Sequence, residues 1–210
     1  MEQVTVYNKL CKSFAKLKDL RDTNKAIVNS SARKYCYNYW VYVAEKMHTI
    51  ECANLKPHSY CLDISTGPGL LPYILNNMGH TCDATDIGDP KDDLDYDVIT
   101  DKDNEQQNAF VVMRQVHNVE LAKNLSIDPE KYINFDKKYD CIFSTRIVWD
   151  SGLDSQAYKS IINNFLDYAD KVVMSWNMDG IHDVPQVLQP YVSQSQFEYG
   201  TLTIHTEKIK

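Results

Sequence analysis

Apolar positions along this 210-residue chain follow two rhythms. Residues 24–50 contain no Gly or Pro, and Ile27, Ala32, Tyr35, Tyr39, Tyr42, Val43 and Met47 recur at spacings of mostly three or four, which predicts one amphipathic helix. Pro57 closes that segment. Beyond it, short apolar runs alternate with helical stretches. Tyr60–Ile64 is an apolar run followed by a glycine-bearing turn, the pattern of a strand buried on both faces. Residues 72–78 read as a helix ended by Gly79, and 81–85 as a second strand. An acid-rich, poorly patterned stretch over 86–108 leads to a helix expected over about 110–125 and a weak strand expected near 131–135. Strand patterns return at 139–144 and 171–176, on either side of a helix over Ser155–Tyr168. This alternation predicts an α/β fold with a doubly wound, mostly parallel sheet. Residues 195–200 and 202–208 alternate around Gly200, which adds an antiparallel edge hairpin. The expected organisation is an N-terminal helical extension over 1–57 and a main domain over 58–210.

Composition narrows the class. With 43% hydrophobic residues the chain can build a full core, and no run approaches the roughly 20 apolar residues of a membrane span. The first residues lack an export signal, so a cytoplasmic protein without membrane contact is expected. Six cysteines, at 11, 36, 52, 61, 82 and 141, form no Cys-x-x-Cys pair and no metal-ligand spacing with histidine, so neither a disulfide framework nor a metal site is expected. Cys61, Cys82 and Cys141 fall in the predicted strands, where a thiol serves as a small hydrophobe. The run Asp93-x-Asp95-x-Asp97 starts like a calcium loop, but Val98 and Asn104 stand where that loop needs glycine and glutamate.

The net charge of -7 is uneven: residues 1–59 hold ten Lys/Arg against five Asp/Glu, and the remainder is strongly acidic. An acidic main body argues against an extended nucleic acid as partner, because phosphate contacts dominate such binding. The basic N-terminal part reads first as a solvated helix face.

Candidate chemistry centres on Leu62-Asp-Ile-Ser-Thr-Gly-Pro-Gly69 and Asp86. In doubly wound sheets, ligands sit beyond the carboxyl ends of the strands, where strand order reverses. Gly67 and Gly69 allow a sharp turn and close backbone approach, and Asp86, expected at the tip of the second strand, is placed to accept both hydroxyls of a ribose. A dinucleotide would need a third glycine where Pro72 stands, and Asp63 repels phosphate. S-adenosylmethionine, with an ammonium, a sulfonium and no phosphate, suits these residues better than NAD.

On these residues, with Tyr139-Asp-Cys-Ile-Phe-Ser144 as a fourth-strand motif, the chain resembles the class I S-adenosylmethionine-dependent methyltransferases over about residues 58–208. The resemblance implies a Rossmann-like, mostly parallel seven-stranded sheet closed by an antiparallel hairpin. It also implies transfer of a methyl group by in-line displacement. Asp63, Ser65, Gly67 and Gly69 would surround the methionine part of the cofactor, Asp86 the ribose, and Ile87, Asn134 and Phe135 the adenine, with Ser144 and Thr145 beneath the sulfonium. Ser65 departs from the family, which most often has glycine there.

Collinear transfer is mainly a matter of positioning, worth about 7 to 11 kcal/mol, and a hydroxyl acceptor gains about 10² to 10⁴ from a base. Asp150 is the first candidate base, His182 the second and Asp179 the third; each is equally a turn or cap residue. Arg146, Trp149, Trp176 and Asn177 are candidate acceptor contacts, both tryptophans being equally read as packing residues. His117 is read as structural, and the tyrosine-rich stretch 35–42 first as core. The expected acceptor is a small molecule, such as a sugar, a nucleotide-sugar or another metabolite. A catalytically silent S-adenosylmethionine-binding subunit and an enzyme using the cofactor for other chemistry are the alternatives.

Overall fold

In the computed structural model, residues 2–86, 101–124, 138–145, 155–177, 192–198 and 201–206 are described. The chain opens with helix α1 (Glu2–Thr23), followed by α2 (Lys25–Val28), a 3₁₀ turn (Ser31–Arg33), α3 (Lys34–Tyr37) and α4 (Tyr39–Ala53). Strands and helices then alternate: β1 (Tyr60–Ile64), α5 (Leu70–Asn77), β2 (Thr81–Asp86), α6 (Asp101–His117), β3 (Leu121–Asn124), β4 (Cys141–Thr145), α7 (Ser155–Tyr168) and β5 (Val172–Asn177). Strands β6 (Val192–Glu198) and β7 (Thr201–Thr206) complete the order.

The single helix expected over 24–50 is broken, and side chains break it. Asn24 Oδ1 accepts the N–H groups of Ala26 and Ile27, and Ser30 Oγ accepts that of Ala32 at 3.0 Å. Short polar side chains thus offer the backbone local bonds that compete with a continuous helix. Asn38, at φ -102° and ψ 25°, separates α3 from α4. Lys171 Nζ donates to the Ala53 carbonyl at 2.8 Å, placing a cation at the C-terminus of α4.

The helix expected over 110–125 lies earlier, over Asp101–His117. Asn118, at φ 53°, stops it in the left-handed conformation that ends helices. A strand follows at once, over Leu121–Asn124; the strand expected near 131–135 lies outside the described residues.

The sheet has the order β3-β2-β1-β4-β5-β7-β6. The first five are mutually parallel, and β7 runs antiparallel to both β5 and β6. An α/β fold with a parallel sheet and packed helices therefore matches the expectation from the residue pattern. From β1 the chain winds outward through β2 to β3, then returns to place β4 on the other side of β1. That reversal between β1 and β4 is where such folds leave a crevice at the carboxyl edge.

Side chains alternate across each strand. Cys61, Cys82, Cys141, Phe143 and Val173 share one buried cluster with residues of α1, α4, α5 and α6, so this face of the sheet meets those helices. The register sets Cys61 beside both Cys82 and Cys141, and burial raises the Cys61 thiol to about 12 and the other two well above the usual range. The thiols stay protonated and pack as small apolar groups. Among the described residues, no helix is long and apolar enough to cross a membrane.

Candidate functional site

The turn after β1 is built from left-handed backbone. Ser65, Gly67 and Gly69 have φ of 59°, 55° and 73°. Such values strain a residue with a Cβ by roughly 1 to 2 kcal/mol, so Ser65, where the resembling family has glycine, sits in a strained position. Space adds a second demand at Gly69: a Cβ there would lie 3.1 Å from both Arg114 Cγ and Val119 Cβ. At Gly67 the nearest atom would be the Phe110 ring at 3.5 Å, ordinary contact, so the backbone angle alone calls for glycine. The Thr66 N–H donates to the Thr85 carbonyl at 2.9 Å and ties the turn to β2, while Gly69 caps α5.

Two carboxyls flank this turn. Asp63, on β1, is 1% exposed. Its Oδ2 accepts the Thr66 hydroxyl at 2.7 Å, and its Oδ1 is buried without a partner among the described residues. Burial pushes the Asp63 carboxyl up to about 7, against the lowering influence of the Thr66 bond and the Lys46 ammonium; the nearby Asp86 adds to the rise. Asp86 forms the tip of β2. Its Oδ2 accepts the Gly67 N–H at 2.6 Å and lies 3.7 Å from Arg114 Nη1, and Gln107 Nε2 is 3.4 Å from its Oδ1.

Helix α6 supports the turn from behind. Gln107, Phe110, Arg114 and His117 follow each other at three- and four-residue spacing, hence along one face. Arg114 Nη1 donates to the Gly67 carbonyl at 2.8 Å, and His117 Nδ1 is 2.7 Å from the Pro68 carbonyl. Burial lowers His117 to about 4, so the ring stays neutral and Nδ1 carries the hydrogen that it donates. Its ring also packs on Tyr39 and Tyr73. His117 thus acts as a structural residue.

On the other side of β1, α4 reaches the end of β4. Lys46 Nζ donates to Thr145 Oγ1 at 2.8 Å and pairs with Glu45 Oε1 at 3.1 Å; both residues are buried. The register aligns Thr145 with Ser175 of β5 and Ser144 with Ile64 and Met174, which puts Ser144 and Thr145 on opposite faces of the sheet. The Ser144 and Ser175 hydroxyl oxygens are both buried without partners among the described residues.

The structure therefore gathers Asp63, Ser65, Gly67, Gly69, Asp86 and Thr145 at the carboxyl edge of β1, β2 and β4. Trp176 and Asn177 end β5 at the same edge, opposite Leu202 and Thr201 of β7. Ile87, Asn134, Phe135, Arg146, Trp149, Asp150, Asp179 and His182 lie outside the described residues. Lys46, Gln107 and Arg114 were not anticipated. Lys46 could have been found as a charge within the buried stripe Tyr42, Val43, Lys46, Thr49, Ile50 and Ala53. Arg114 is the same kind of signal on α6, a charge at helical spacing from the buried Phe110, Met113 and His117.

No known family model matches the sequence, and no curated protein does. Among solved structures, it is similar to a ribosomal protein L11 methylase from Lactobacillus delbrueckii subsp. bulgaricus, at 16% identity and TM-score 0.47, covering 79% of this chain and 77% of the other. It is similar to a TehB-like S-adenosylmethionine-dependent methyltransferase from Corynebacterium glutamicum, at 13% identity and TM-score 0.48, covering 83% and 97%. A third is an S-adenosylmethionine-dependent methyltransferase from Clostridium acetobutylicum, at 16% identity and TM-score 0.45, covering 73% of this chain but 61% of that one. At such low likeness, the chain's own geometry has to carry any functional reading.

Proposed function

We propose that this chain is an S-adenosylmethionine-dependent methyltransferase whose cofactor lies across the carboxyl edge of β1, β2 and β4. The observation that carries the reading is Asp63: a buried carboxyl with an unpartnered oxygen, beside a left-handed glycine turn at the point where strand order reverses. A buried acceptor of this kind calls for a cationic donor, which the ammonium of an amino-acid-bearing nucleoside supplies. Asp86 at the tip of β2 takes the sugar. Phosphate-bearing cofactors fit worse, because two carboxyls flank the turn and the Gly67 N–H that would meet a phosphate already donates to Asp86. The bound cofactor supplies an electrophilic methyl group; this chain supplies the alignment.

The acceptor is a small molecule in this reading, a sugar, nucleotide-sugar or other metabolite, supported by the acidic balance of the main body against polyanionic partners. Arg146, Trp149, Trp176 and Asn177 are the proposed acceptor contacts, and Asp150, then His182, the proposed base. Calorimetry with S-adenosylmethionine and S-adenosylhomocysteine, followed by incubation of methyl-labelled cofactor with a metabolite extract, tests the reading. Saturable binding and label in a new small molecule are expected. Tight binding with all label retained on the cofactor would leave a silent binding subunit, and no binding would end the proposal.

A further inference from the structure

The Asp86 carboxyl is divided between two jobs by helix α6. Its Oδ2 belongs to the turn: it accepts the Gly67 N–H at 2.6 Å and faces Arg114 Nη1 at 3.7 Å, while that same nitrogen donates to the Gly67 carbonyl at 2.8 Å. The backbone N–H and carbonyl of one residue, one guanidinium and one carboxylate oxygen thus close a buried ring. The Asp86 Oδ1 faces Gln107, whose Nε2 lies 3.4 Å away. Because a carboxylate can only accept, Gln107 turns its NH₂ toward Asp86 and its carbonyl elsewhere. That carbonyl oxygen, Oε1, is buried without a partner among the described residues. A buried amide oxygen without a donor is rare and destabilising, and it stands beside the oxygen expected to meet the cofactor's sugar.

Resting on the proposed function, we infer that Gln107 is a specificity-determining residue of the cofactor site, forming with Asp86 Oδ1 a two-acceptor receptor for the cis-diol of a ribose. One hydroxyl donates to Oδ1 and the other to Gln107 Oε1. Arg114 is the positioning residue that reserves the second carboxylate oxygen for the turn. The expectation that a single carboxylate grips both hydroxyls is thereby replaced by a shared grip. A deoxyribose, lacking one donor, leaves Oε1 as unsatisfied as it is without ligand, so the site discriminates at that hydroxyl.

The test is calorimetric binding of S-adenosylhomocysteine and of its 2′-deoxy and 3′-deoxy analogues to the unsubstituted protein and to Gln107→Met, a change of similar shape that removes the amide. The unsubstituted protein should prefer the full ribose over one of the two analogues by about tenfold or more. In Gln107→Met, that preference should fall to within about twofold, with affinity for the same analogue unchanged. A merely structural role for Gln107 would weaken all three ligands alike and leave the preference standing, which overturns the inference. If the variant does not fold, the side-chain amide resonance of Gln107 in the unsubstituted protein decides. It should shift with S-adenosylhomocysteine and not with the discriminated analogue, and an indifferent signal overturns the inference. Failure of the unsubstituted protein to bind any of the three compounds overturns the proposed function and this inference together. Binding with an unaltered preference overturns this inference alone.

Discussion

The β2 side of the glycine turn and its β4 side solve the burial of polar groups in opposite ways. Around Asp86, the chain brings its own partners: a backbone N–H, a guanidinium and an amide, all within 3.7 Å. On Asp63, Ser144 and Ser175, three buried oxygens have no partner among the described residues. Lys46, the cation on that side, is bonded to Thr145 and Glu45 and reaches Asp63 only through its field. The first region holds its carboxylate by itself and leaves one acceptor, the Gln107 carbonyl oxygen, for a ligand, while the second leaves three such oxygens. Stability should therefore depend most on the β2 side, and ligand affinity and its pH dependence most on the β1/β4 side.

The largest expected effect follows from this contrast. Arg114→Met removes the buried partner of Asp86 and the donor to the Gly67 carbonyl, and breaking a buried pair from one side costs about 3 to 5 kcal/mol. Urea unfolding of the variant measures this; a loss under about 1 kcal/mol would show that the ring around Gly67 carries little stability.

On the β1/β4 side the expected signature is pH. The folded protein holds a proton on Asp63 up to about 7, whereas an unfolded aspartate releases it near 4. Folding takes up that proton between the two values, so this carboxyl favours the fold at acid pH, and the contribution is lost as pH rises through about 7. The ammonium of the cofactor needs the charged carboxylate, so affinity for S-adenosylmethionine should rise with pH below about 7, by up to tenfold per unit. Asp63→Asn should flatten both dependences. Calorimetry from about pH 5.5 to 7.5 checks the second, and a flat curve for the unsubstituted protein would place the ammonium elsewhere.

The same contrast explains what could be seen in the amino-acid pattern. The central strands were recognisable because burial on both faces demands short apolar runs, and the turn because glycines and an acid stand at fixed offsets from β1. Partners on helices were not. Arg114 reads as a surface charge until it is set beside Phe110, Met113 and His117, the buried residues at three- and four-residue spacing on its face of α6. The breaks at Asn24, Ser30 and Asn38 were missed for a related reason: apolar spacing reports which face is buried, while helix continuity is decided by polar side chains that bond the backbone locally. Ser144 and Thr145 look equivalent in a list of neighbours, but the pleat sends them to opposite faces.

Within the turn, the two glycines should separate by their surroundings. Gly69→Ala meets both backbone strain and contacts at 3.1 Å with Arg114 and Val119, for a loss of about 2 to 4 kcal/mol, while Gly67→Ala meets strain alone, about 1 to 2 kcal/mol. Paired urea titrations measure the difference. Equal losses would mean that α6 yields to a methyl group at Gly69 and is a looser support than the Arg114 ring suggests.

The smallest effect is expected at Ser65, and its sign is the informative part. At φ 59° the serine Cβ costs roughly 1 to 2 kcal/mol, which Ser65→Gly would relieve. Glycine also gives the unfolded chain more freedom to lose, an opposing cost of roughly 0.5 to 1 kcal/mol. The balance favours the variant by up to about 1 kcal/mol, seen as a higher urea midpoint at unchanged slope. A lower midpoint would show that the serine side chain contributes more to the β1/β4 side than its backbone angle takes away, making the departure from glycine a functional choice at this turn. A higher midpoint with unchanged cofactor affinity would show instead that the strain is tolerated because the turn is held from the β2 side, where Thr66 bonds to Thr85 and Gly67 to Asp86 and Arg114.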